Sequence, residues 1–120
     1  MPIPSRVLAS GTSPLATTSI NGDGAVALVA LGSTAADALQ LSAVWNTITT
    51  SSASTGVKLQ PTEAGAFVGI RNDSGQTVTV YPFNTSTTIN AGATSLSLAT
   101  AKTVLLFAPS ATTWASVLTA

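Results

Sequence analysis

Eight charged side chains, Arg6, Asp23, Asp37, Lys58, Glu63, Arg71, Asp73 and Lys102, supply nearly all the acid–base chemistry in this chain. It contains no histidine and no cysteine. The first absence removes the usual general base near neutral pH and the commonest metal ligand. The second removes thiolate nucleophiles, disulfides and sulfur-ligated metals. A serine nucleophile would have only Lys58 or Lys102 as its base. Serines are so frequent here that one near a lysine is expected by chance. Paired-carboxylate hydrolysis needs two acids facing each other across a cleft. Asp23 and Asp73 sit in turn sequences and Asp37 reads as a helix or turn cap, which leaves Glu63 alone. Asn21-Gly22-Asp23-Gly24 has the look of half a calcium loop, without the distal bidentate Glu that completes one, and reads as a turn. No glycine pattern matches a phosphate loop or a dinucleotide fingerprint. The expectation is a non-enzymatic chain with no catalytic residue, no cofactor and no metal site.

Charge excludes further classes. Charged residues make up 7% of the 120 residues, against about 25% in an ordinary soluble domain. They cancel to zero and form no run of one sign. Four scattered cations do not build the basic stripe that nucleic acid requires, nor a polybasic membrane patch. The longest aliphatic runs, residues 25–31 and 104–108, fall far short of the ~20 residues of a spanning helix. The proline-broken start lacks the apolar stretch of a signal peptide, so a soluble cytosolic product is expected. Alanine, serine and threonine fill the chain, and mean hydropathy is positive. So few charges protect a monomer poorly against self-association. Two readings stand: a hydroxyl-coated monomer, or, preferred, a subunit whose neutral faces are covered by neighbours.

These residues need elements to place them, and the length is that of one domain. Residues 1–24 are rich in Pro, Ser, Thr and Gly and read as an extended N-terminal arm, with Ile3, Arg6, Val7, Leu8, Leu15 and Ile20 as docking residues. Residues 25–120 read as the β-domain. Residues 25–31 form a strand between turn sequences. Over residues 34–46, Thr34 and Asp37 resemble a weak capping box, yet Leu39, Leu41, Ala43 and Trp45 alternate as a strand does. Helix and strand both remain open there, with the β-branched run after Trp45 favouring strand. Beyond this point alternation is clean. Val57 and Leu59 flank Lys58; Ala66, Val68 and Ile70 share one face, with Phe67, Gly69 and Arg71 on the other. Asn72-Asp73-Ser74-Gly75 turns the chain, and Val78 and Val80 point inward until Pro82 ends the pairing. Asn90-Ala91-Gly92 is another turn, Leu96 and Leu98 alternate, and residues 103–107 are apolar on both faces, as in a central or partner-covered strand. A last strand runs from Trp114 to Leu118. Short strands between regular turns predict an all-β fold, a single antiparallel β-sandwich or small jelly-roll-like barrel. Leu105, Phe107, Tyr81 and Trp114 are the candidate oligomer or partner face.

Gly56-Val57-Lys58-Leu59 through Pro61, Gly65-Ala66-Phe67-Val68-Gly69-Ile70-Arg71-Asn72, Val78-Thr79-Val80-Tyr81-Pro82, Ile89-Asn90 and Phe107-Ala108-Pro109-Ser110-Ala111-Thr112-Thr113-Trp114 together carry a resemblance. They resemble a module of small tailed-phage virion proteins, among them capsid decoration (cement) proteins and head fibres. Such relatives often place Pro directly after Gly-Val-x-Leu, where this chain inserts Gln60. The resemblance implies a symmetric oligomer, commonly a homotrimer, made in the host cytoplasm and attached to the major capsid protein on the capsid surface. The alternative is a tail-fibre or appendage module binding host-surface glycans through Tyr81, Trp45 or Trp114.

Overall fold

Alternating apolar residues make strands, and turn residues stop them. In a computed structural model of the chain, which describes Gly11, Ser13 and residues 23–119, this pattern yields ten strands among the described residues. They are β1 (Gly24–Val29), β2 (Leu39–Gln40), β3 (Trp45–Thr50), β4 (Gly56–Lys58), β5 (Phe67–Asn72), β6 (Val78–Tyr81), β7 (Thr88–Ile89), β8 (Leu96–Leu98), β9 (Lys102–Ser110) and β10 (Thr113–Leu118). The all-β class is as expected.

The strands form two sheets, A in the order β1-β3-β5-β9-β10-β7 and B in the order β2-β4-β6-β8. From β1 to β6 the chain alternates between them, so β1, β3 and β5 stack in parallel in sheet A while β2, β4 and β6 stack in parallel in sheet B. This is a two-sheet, solenoid-like coil. Gly24 lies beside Trp45 and Trp45 beside Gly69, so successive circuits take 21 and 24 residues. The coil then closes with antiparallel partners: β8 against β6, β9 against β5, and β10 folded back on β9. β7 adds a short parallel edge to β10.

The expected antiparallel sandwich or barrel is therefore corrected. Parallel neighbours require a crossover of a dozen or more residues, usually a helix. Here a strand of the opposite sheet, with a turn at each end, provides that crossover. Alternation sets which face a side chain takes but not which strand lies beside it.

Between the sheets, Ile48, Val68, Ile70, Val104 and Leu106 from sheet A meet Val57, Leu59, Val78, Val80 and Leu98 from sheet B, all essentially inaccessible to water. Each such side chain contributes ~1.5–3 kcal/mol by burial. Trp114 reaches into the same core from β10, and its indole N–H donates to Thr62 Oγ1 at 2.9 Å. Buried Asn72 holds a turn to the core: its Nδ2 donates to the carbonyls of Gln76 (2.7 Å) and Leu98 (2.8 Å), and its Oδ1 accepts from the N–H and hydroxyl of Ser74. The left-handed backbone of Gly75 (φ 81°) completes that turn.

Over residues 34–46 the outcome combines the two expectations. One helical turn, closed by Ala38 N–H donating to Thr34 O at 3.1 Å, is followed by β2 and then by β3 starting at Trp45. The expected arm, with Ile3, Arg6, Val7, Leu8, Leu15 and Ile20, lies outside the described residues.

Candidate functional site

Two surfaces are built by the outward half of the alternation. On sheet A, Val104, Leu106 and Ala108 of β9 point inward, which turns Leu105 and Phe107 outward. Register then assembles rows across strands. Trp45, Gly69, Leu105 and Val117 lie side by side across β3, β5, β9 and β10. Phe67, Phe107 and Ala115 form the neighbouring row. The Phe67 and Phe107 rings pack tilted at 56°, with centroids 5.2 Å apart. Trp45 lies flat across Gly69, close enough that any side chain there would meet its ring. Trp45, Phe107 and Val117 nevertheless remain 41%, 43% and 59% exposed. The next row is polar: Thr47, Arg71 and Thr103. Arg71 Nε donates to Asp73 Oδ1 at 2.7 Å and its Nη1 to the Ala101 carbonyl at 2.9 Å, bounding the apolar rows with a neutralised charge.

On sheet B the outward residues are polar. Gln40, Lys58 and Tyr81 form one row across β2, β4 and β6; Gly56, Thr79 and Ser97 form the next. Tyr81 lies over Gly56, where an added Cβ would sit 2.7 Å from the ring and 2.7 Å from the Thr79 carbonyl. Its hydroxyl donates to Ser33 O at 3.1 Å. A groove of about 630 Å³ opens here between the turn at Thr34–Ala36, the Lys58–Tyr81 row and the segment at Phe83–Thr87. Lys58 Nζ lies 5.6 Å from the Phe83 ring centroid, a cation–π distance. Beside the groove, the Thr34 hydroxyl and then its N–H donate to Asp37 Oδ1, at 2.8 and 2.9 Å. These bonds hold the Asp37 carboxyl below its ordinary value.

The sequence-predicted partner face is thus divided. Leu105 and Phe107 share the outside of sheet A; Tyr81 is on the outside of sheet B. Trp114 belongs to neither, a correction: it is wholly buried, because Ala115 and Val117 take the outward positions of β10 and alternation turns Trp114 to the core. Trp45, Tyr81 and Trp114 therefore form no common stacking face. Sequence reasoning missed Phe67 and Val117 as members of the apolar rows and Lys58 with Phe83 as a pair. The available signal for Lys58 and Tyr81 was their 23-residue separation, one circuit of the coil.

Among the described residues, no group of three or more acids is placed to hold a metal ion. Asp23 Oδ1 accepts the Val44 N–H at 3.0 Å, and Asp73 pairs with Arg71.

No protein-family model matches the chain, and no curated protein or solved structure is similar enough to count as a match.

Proposed function

We propose that this protein is a non-enzymatic structural subunit of a virus particle, a capsid decoration (cement) protein that assembles through the outside of sheet A. The observation that carries the reading is the pair of apolar rows on that face, with Trp45, Phe107 and Val117 exposed together. Contiguous apolar patches of this kind mark interaction sites. Interface cores are depleted in charge and enriched in aromatic residues, which describes these rows. A chain with charged residues at only 7% has little to oppose such association.

In the proposed assembly, copies join through sheet A, most simply as a trimer, on the capsid surface. Residues 1–24 form an arm that reaches neighbouring copies of the major capsid protein. Many weak contacts then act together, and avidity holds the shell against internal pressure. The resemblance of residues 56–114 to small tailed-phage virion proteins supports the choice of a virion over other assemblies.

Native mass spectrometry of the purified protein tests the assembly. A trimer or dimer that Phe107→Lys converts to folded monomer is the expected result. A wild-type chain that stays monomeric at high concentration, and attaches no better to expanded heads than Phe107→Lys does, would refute it. Removing residues 1–20 is expected to abolish head attachment while sparing the oligomer.

A further inference from the structure

The groove on sheet B has a chemistry that assembly through sheet A does not use. The parallel stacking of β4 and β6 places Lys58 and Tyr81 side by side, both pointing outward. The Tyr81 ring is fixed at both ends of its reach: it rests on Gly56, and its hydroxyl is tied to Ser33 O. Phe83 adds a second ring to the groove, and the Lys58 ammonium lies over it. Lys58 makes no ion pair; the one salt bridge among the described residues is Arg71–Asp73. An ammonium held over the Phe83 ring with no carboxylate paired to it, the nearby Asp37 carboxyl being bound to Thr34, is a site complementary to an anion.

The rest of the lining narrows the choice. Thr85 and Thr94 bring hydroxyls, while buried Thr87 spends its own on the Asn84 carbonyl; Asn84 brings an amide whose Oδ1 accepts the Ser86 N–H at 2.9 Å, leaving its NH2 for a ligand. Ala35, Ala36, Tyr81, Pro82 and Phe83 make the rest of the wall largely apolar, with the two aromatic rings as its flat surfaces. One cation does not track a phosphodiester backbone. What fits rings, hydroxyls, an amide and a single ammonium is a sugar bearing a carboxylate. Its C–H face would lie on an aromatic ring, whose negative π face attracts polarised C–H groups. Its hydroxyls would meet Asn84 and the threonines. At about 630 Å³ the space lies within the ~300–1,000 Å³ of small-ligand pockets.

We infer that this groove binds an acidic saccharide, a hexuronate unit within a surface polysaccharide, with Lys58 reading the carboxylate and Tyr81 and Phe83 supporting the ring.

The test is a backbone amide NMR titration of the whole protein with a hexuronate trisaccharide and with its neutral hexose counterpart. Shifts confined to residues 34–36, 58 and 81–87 are expected with the uronate, and binding of the neutral sugar at least about fivefold weaker. Lys58→Met, which keeps the stem but removes the charge, is expected to weaken uronate binding about tenfold and leave the neutral sugar unaffected. Raising the salt with wild-type protein gives the same readout without a substitution, since screening weakens an exposed charge contact. Groove amides that do not move with uronate at about 20 mM, equal binding of both sugars, or unchanged binding by Lys58→Met would each overturn the inference.

Discussion

Trp45 lies over Gly69 on the outside of sheet A, and Tyr81 lies over Gly56 on the outside of sheet B. In each case a glycine on a neighbouring strand makes room for a ring laid along the sheet. The surroundings then diverge. Trp45 continues into Leu105 and Val117, with Phe67 and Phe107 alongside, and Arg71 at the edge of these rows is already paired with Asp73. Tyr81 sits beside Lys58 and lines the groove together with Phe83. The same backbone device therefore makes a flat apolar face on one side and a recess edged by an ammonium on the other. What decides the difference is the side chains in the adjoining register positions, not the fold. A flat apolar face suits a protein surface, and a recess with an unpaired cation suits a small anionic group.

The strongest way to break the comparison is to remove what both faces share. Trp114→Ala should destabilise the domain by ~3–5 kcal/mol in urea unfolding, since it empties a large core site and strands the Thr62 hydroxyl. Both faces would be lost together. The next test separates the two glycines. Gly56→Ala is expected to destabilise by about 1–3 kcal/mol because its Cβ meets the Thr79 carbonyl, which is backbone and cannot swing away. Gly69→Ala meets only the ring of half-exposed Trp45 and should lose less than about 1 kcal/mol. Equal losses at the two sites would show that the rings are not held differently.

Surface changes should then resolve the roles. Val117→Lys is expected to alter monomer stability by no more than about 0.5 kcal/mol while lowering the native mass, because it places a charge in the apolar row. Lys58→Met should leave both native mass and stability within that margin. The smallest effect concerns the wall of the groove. The folded-state pKa of Asp37 is lowered by the Thr34 hydroxyl and N–H, so its contribution is present above the ordinary value of 3.8 and is lost as pH falls through the folded value. A plot of unfolding midpoint against pH should therefore converge for wild type and Asp37→Asn at the acid end and separate slightly above pH 3.8.

From Val57 onward the inward and outward sets were legible in the sequence. Val57/Leu59 alternate with Lys58, Val78/Val80 with Thr79, and Val68/Ile70 with Phe67, Gly69 and Arg71, and the pleat follows from that period alone. The double-sided apolar character of residues 103–107 marked β9 as central or partner-covered, and it lies between β5 and β10. Strand partners were not legible. A period of two is the same in parallel and antiparallel sheets, and with circuits of 21 and 24 residues there is no fixed repeat to find. The position of Trp114 depended on which face of β10 meets the core, and small Ala115 and Ser116 beside it leave that choice unmarked in the sequence. The groove was hidden for a related reason. Thr34, Lys58 and Phe83 are far apart in the chain and meet only because each belongs to a successive circuit.

The alternating path of the chain also limits how such a protein can change size. β1 and β2 are the outermost strands at one end of sheets A and B, and each circuit contributes one strand to each sheet. An insertion of one full circuit would lengthen both sheets and leave every later residue on its present face. An insertion of half a circuit would send all following strands to the wrong sheet and exchange the apolar and polar exteriors. Inserted segments are then tolerated either within a turn or in steps of one circuit, so length variation in this architecture is quantised.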